Sequence, residues 1–344
     1  MNAIERLVRR IDAFQQRHRP LAFVFAVAKK FGDDRCNNLA VLLAYYGFLA
    51  VMPMLLLLVT GLGFVLGHNP RLEQALLRSA LVDFPILGAQ LGQNVHPLRG
   101  SGVGLVVGVL GLVWGSQGIT QAAQHAMNEV WNIPGVIRPN WVKRLTRGLA
   151  LLVVLGLGVA ATTFLISGVS FTGHGGALER VVSMAASVLV NIGLYLLAFR
   201  VLTVREVTTH CLVPGAVAGG IGWSILQALG GYLVAHQLRS ASQIYGYFAS
   251  VIGLISWLSV GAQLTLYVAE MNVVLARRLW PRSMVQPPLT KADRDTLVAI
   301  AKQEERRPEQ SVSVEFHDDE DGAAEEDGAA EEIDVRDSAP RGPT

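Results

Sequence analysis

Six stretches of the chain, each long enough to cross a lipid bilayer, hold only two charged residues between them, and this limits the fold more than any other feature of the sequence. They run over about residues 39–67, 101–124, 149–171, 181–203, 211–235 and 247–276, and the two charges are Arg200 and Glu270. A helix needs ~20 apolar residues to cross a hydrocarbon core of ~30 Å. Lipid gives an exposed backbone no hydrogen-bond partner, so such segments must close their bonds within helices. A transmembrane barrel would instead show alternating segments of ~10 residues, and these are absent. The predicted fold class is an all-α integral membrane protein built as a bundle of six transmembrane helices.

Hydrophobic residues make up 51% of the 344 and charged ones 16%. Six spans put both termini on one side. With Arg200 counted at the end of span four, that side collects 24 of the 29 Lys and Arg, against 5 opposite. The positive-inside rule then places both termini in the cytoplasm. The apolar run LAFVFAVA at 21–28 is short and is followed by Lys29 and Lys30, so no cleavable leader is expected and span one serves as its own signal. Cys36 and Cys211 fall near cytoplasmic helix ends, where thiols stay reduced, and point to neither a disulfide nor a metal.

The ends of the chain differ from its middle. Residues 1–38 form a basic, cytoplasmic N-terminal segment in which Ile4, Leu7, Val8, Ile11 and Phe14 recur at helical spacing, with Arg6, Arg9, Arg10 and Arg17 mostly on other faces. Two readings fit: a helix lying on the anionic inner leaflet, or one packed under the bundle. Residues 277–310 follow the transmembrane domain (39–276) as a juxtamembrane segment, and 311–344 read as a disordered acidic tail with a tandem DGAAEE at 321–332. From residue 285 on, the chain carries 17 acidic and 7 basic residues; before it, 22 basic and 10 acidic. Such a tail is either simply solvated or a docking site for a cytoplasmic partner.

Span two carries both a packing face and a polar face. On a helical wheel Gly104, Gly108, Gly111, Gly115, Gly118 and Ala122 share a narrow sector that lets a neighbouring helix approach closely. Gln117, Gln121, Gln124 and Asn128 form a second stripe, about 130° away. One reading has that stripe leaving the membrane at headgroup depth; the other has it lining an inward-facing polar vestibule. Arg200 and Glu270 are the remaining pathway candidates, with Arg200 alternatively reaching for the interface and Glu270 alternatively paired with Arg277. Pro53 interrupts a long first span and is the candidate hinge. Gly215 and Gly219 form a further packing face, which can join two helices of one copy or two copies in a homo-oligomer.

Enzyme chemistry finds little support. GLGFVLG (61–67) and GVGLVVG (102–108) lie inside apolar helices and follow no strand. No phosphate-binding G-x-x-x-x-G-K-[ST] loop or serine nucleophile elbow occurs, and the eight histidines are scattered singly, without an H-x-H or H-E-x-x-H pair. No cofactor, no metal and no nucleic-acid partner is expected; membrane lipids are.

Four ordered motifs carry a family resemblance: FGDDRCNNLAVLLAYYGFLAVMPMLLLL (31–58), WGSQGITQAAQHAMNEVWNIP (114–134), VPGAVAGGIGWSILQ (213–227) and YGYFASVIGLISWLSVGAQLTLYVAEMN (245–272). Together they resemble the YihY/BrkB family of bacterial inner-membrane proteins, and the D-D-R prelude with AYYGFL is most similar to its YhjD branch. The resemblance covers roughly residues 25–280 and implies a six-helix, multi-pass protein of the cytoplasmic membrane, linked to envelope integrity. For the YhjD branch it also implies transport of lipid-like or other amphipathic envelope molecules. An old family label, ribonuclease BN, is regarded as a misassignment, in agreement with the histidine spacing here. The family has no agreed site residues to carry over. Two functions of different class follow: a transporter or flippase-like facilitator, or a non-transporting scaffold that recruits partners through its tail.

Overall fold

The computed structural model describes residues 3–66, 102–137, 142, 146–148, 150–151, 158, 177–204, 207–236 and 247–316. The third expected span, 149–171, falls almost wholly outside these residues, as does the acidic tail beyond residue 316. Among the described residues the chain is all-helical. The helices are α1 (Ala3–Arg17), α2 (Arg19–Asp33), α3 (Cys36–Leu66), α4 (Gly102–Val130), α5 (Ala177–Leu202), α6 (Val213–His236), α7 (Tyr247–Arg277) and α8 (Lys291–Lys302), with short 3-10 turns at Gly135–Ile137 and Thr209–Leu212.

Among the described residues, three segments are long and apolar enough to cross a membrane: Val181–Leu202, Thr209–Gly230 and Val251–Arg277. They coincide with spans four to six of the sequence reading. Burial in protein does not account for their apolarity, since only 6% of the apolar window of Val181–Leu202 and 28% of the other two are buried. Val182, Met184 and Leu189 on α5, Ile225 and Leu229 on α6, and Ile252 on α7 all point outward. Water does not tolerate a continuous apolar surface of this extent, whereas lipid does. This is an integral membrane protein.

The bundle centres on α7, which packs against α2, α3, α4 and α6; α3 lies along α4, and α5 along α6. Missing side chains set these approaches. A Cβ on Gly215 would collide with the Val268 carbonyl and the Asn272 side chain of α7, and one on Gly219 with the Tyr195 ring of α5. This glycine face therefore joins helices of one copy. Gly118 does the same for α4, against Tyr46 of α3. Gly104, Gly108, Gly111 and Gly115 lie on the part of α4 whose side-chain surroundings fall outside the description. Polar residues in the spans also bond across helices: Asn191 Nδ2 donates to Ser224 Oγ at 3.0 Å, and Asn272 Oδ1 accepts from Gly215 N at 2.6 Å. α3 is one continuous helix through Pro53, and its side chains from Met52 onward lie outside the described ones.

At one end of the bundle α1, α2, α8 and the segment 279–290 form a platform with a polar core. Asp293 accepts from Lys29 Nζ and Arg282 Nε, both at 2.8 Å, and from Ser283 N at 3.0 Å, while it shares a reciprocal capping box with Thr290 at the start of α8. Asp12 of α1 accepts from Ser283 Oγ and Met284 N, both at 3.1 Å, and Gln15 Nε2 donates to Arg282 O at 2.7 Å. Burial pushes both carboxyls up, but these donors outweigh it and hold Asp293 well below, and Asp12 below, the usual carboxylate range. Consequently α1 docks through its polar side. Its apolar stripe faces outward, with Leu7 59%, Ile11 48% and Phe14 56% exposed.

Candidate functional site

The segment FGDDRCNN turns the chain from α2 into α3. Lys30 sits one turn before the end of α2, Asp34 in the turn, and Arg35 at φ 52°, the left-handed conformation that a side chain disfavours. Cys36 then starts α3. Two other helices end at left-handed residues, α4 at Asn132 (φ 46°) and α7 at Arg278 (φ 55°).

Between these ends lies a buried network of side chains from four elements. Lys30 Nζ donates to Asp34 Oδ2, donates to the Val130 carbonyl at 3.0 Å and lies 3.2 Å from Glu270 Oε2. Lys30 thus makes two hydrogen bonds and an ion pair. Cys36 Sγ donates to Glu270 Oε1 at 3.2 Å, and Asn132 Nδ2 donates to Asp34 Oδ1 at 3.1 Å. Lys30 and Glu270 are wholly buried. Burial alone would lower the Lys30 pKa, but the facing carboxylates of Glu270 and Asp34 raise it further, so the ammonium stays charged. The network clamps α2, α3, the end of α4 and α7 together. The ion-pair partner of Glu270 is thus Lys30, whereas Arg277, the partner expected from the sequence, donates to the Trp131 carbonyl at 2.5 Å.

A cavity of about 670 Å³ opens beside this network, within the usual range for small-molecule sites. Asp34, Arg35 and Asn38 form its floor; His125 and Glu129 of α4 form a wall. A strap following α8 supplies Glu304 and Arg306, and Leu39 and Leu42 of α3 make one side apolar. The strap is held in place by Gln303 Nε2, which donates to the Asn128 and Glu129 carbonyls at 3.3 and 3.1 Å, and by Val136 N, which donates to the Glu305 carbonyl at 3.1 Å. It adds a donor to carbonyls that Ile133 N and Asn132 already reach at the end of α4. Within the cavity, Arg306 pairs with Glu304 at 2.8 Å and His125 lies 3.6 Å from Glu129.

The five pathway candidates read from the sequence are not gathered in one place. Glu270 belongs to the buried network. Gln124 is buried, Gln117 half-buried and Gln121 exposed, so the stripe on α4 does not share one environment, and none of the three lines the 670 Å³ cavity. Arg200 donates to the Val207 carbonyl at 3.0 Å and borders a separate cleft of about 370 Å³ with Arg147 and Thr203. Sequence reasoning missed Lys30, Asp34 and Arg35. The available signal was a dense run of charges set directly against the start of a span.

A family model described as Virulence factor BrkB matches residues 27–291. The chain is 25% identical over 278 residues to the inner membrane protein YhjD of Escherichia coli (strain K12), covering 74% of this chain and 81% of that protein. It is likewise 25% identical over 270 residues to a UPF0761 membrane protein of Halorhodospira halophila (strain DSM 244 / SL1), covering 73% of this chain. The chain spans just over half, 56%, of the length of that second relative. No solved structure matches.

Proposed function

This chain belongs to the Virulence factor BrkB family, and on that premise we propose that it is a six-span, multi-pass protein of the bacterial inner membrane that moves a lipid or other amphipathic envelope molecule. Both termini lie in the cytoplasm in this reading, which puts the platform, the buried network and the 670 Å³ cavity at the inner end of the bundle. The observation that carries the reading is the lining of that cavity, which sets charged residues of both signs, Asp34, Arg35, Glu129, Glu304 and Arg306, beside apolar Leu39 and Leu42 of α3, with Leu42 on the outward face of that helix. A headgroup needs the first surface, and an acyl chain needs the second.

The buried network supports the same reading. Four elements meet at Lys30, Asp34 and Glu270, so a change at the cavity floor is passed directly to α7. Buried charges of this kind are costly to assemble and are weak evidence for stability alone. The energy source in this reading is an ion gradient, a partner or the substrate's own gradient. The test separates transport from a scaffold role. Purified full-length chain and a chain ending at residue 316 are reconstituted, and movement of labelled phospholipids across the bilayer is followed. Transport predicts movement by both; a scaffold acting through its tail predicts movement by neither.

A further inference from the structure

Among the described residues that line the cavity, Arg35 is an exposed cation with no counter-charge paired to it. Asp34 is engaged by Lys30 and Asn132, Arg306 by Glu304, and His125 by Glu129. The Arg35 side chain has no ion-pair partner among the described residues, yet it borders the cavity. Its backbone is also strained: at φ 52° a glycine or asparagine would sit more easily. The next residue opens α3, a helix of 31 residues with no acidic residue in its first turn, so the positive end of its dipole adds to the guanidinium.

A second observation says what the anion is attached to. From the cavity, Asn38, Leu42, Tyr45 and Leu49 recur along one side of α3 at helical spacing. Leu42 is 42% exposed, Tyr45 55% and Leu49 44%, so this stripe leads outward from the cavity into the lipid-facing surface. A water-soluble phosphate would have no use for it.

We propose that the cavity binds the phosphate of a phosphate-bearing amphipath, which Arg35 holds at the positive end of α3 while its hydrocarbon lies along Leu42, Tyr45 and Leu49. Guanidinium and phosphate form charge-assisted, bidentate hydrogen bonds. The assignment rests on the reading of the chain as a carrier of amphipaths, but its test does not depend on movement.

The test is calorimetric binding to the full chain in micelles of an uncharged detergent. The probes are dihexanoyl phosphatidic acid, dihexanoylglycerol and glycerol 3-phosphate. The decisive variant is Arg35→Gly, because glycine fits the left-handed backbone and removes the guanidinium with its stem; Arg35→Lys keeps a cation without the fork. The expected result is binding of phosphatidic acid that weakens by about tenfold or more in Arg35→Gly, with partial recovery in Arg35→Lys and far weaker binding of both other probes. Equal binding by wild type and Arg35→Gly, at unchanged thermal stability, overturns the site. Dihexanoylglycerol binding as tightly as phosphatidic acid overturns the role of phosphate. Glycerol 3-phosphate binding as tightly as phosphatidic acid overturns the track on α3 and leaves a soluble phosphoester as the ligand. Binding retained without any lipid movement defeats the transport reading and leaves the site standing.

Discussion

Removing Lys30 leaves two carboxylates, on Asp34 and Glu270, facing each other away from water. Breaking a buried pair from one side costs about 3–5 kcal/mol, because the remaining charge has nothing to offset it. Lys30→Met is therefore expected to lower the thermal midpoint in detergent sharply, and adding Glu270→Gln should restore much of the loss. A double variant as unstable as the single one would show that the pair is not coupled. Gly215→Ala tests packing at the same scale. Its methyl would meet the Val268 carbonyl and Asn272 of α7, and overpacking of this kind costs about 1–3 kcal/mol. Comparison with Gly193→Ala gives the control, because a Cβ there meets nothing within 4 Å.

At the scale of elements, the spans are what the sequence states most clearly. Expected limits of 181–203, 211–235 and 247–276 stand beside α5, α6 and α7 at 177–202, 213–236 and 247–277. Hydropathy is a local property, and a span is local. Span two is expected to end at residue 124, and the helix that carries it, α4, runs on to Val130, where the Gln303 strap donates to the Asn128 and Glu129 carbonyls. Nothing local announces that strap. The platform helices make a pH prediction. Asp12 and Asp293 have lowered pKa values, so the stability they contribute is fully present above the ordinary carboxylate value of ~3.9 and is lost as pH falls below it. Hydrogen exchange, corrected for its intrinsic pH dependence, should show α1 and α8 opening in that acid range while α5, α6 and α7 stay protected. Simultaneous opening of all five helices would contradict the separation of platform from bundle.

For the whole molecule, the candidate site was legible only in fragments. Glu270 stood out as a lone carboxylate in an apolar span, but its neighbour Cys36 lies 234 residues away in the chain, and no periodicity reports such a meeting. The glutamine stripe of α4 was a real pattern on a wheel, yet its members divide between interior and surface once neighbouring helices are in place. Arg35 was hidden for another reason: its distinction is a backbone angle and an absent partner. The charge asymmetry of the two ends, by contrast, was plain in composition, and chain ending at residue 316 is expected to retain transport. The most direct test of the central claim is the initial rate at which a phospholipid with a labelled headgroup crosses the bilayer of proteoliposomes holding the full chain, against empty liposomes. The account predicts a clear excess that falls in Arg35→Gly at unchanged thermal stability. A rate equal to that of empty liposomes for every envelope lipid supplied, with and without an ion gradient, would contradict it.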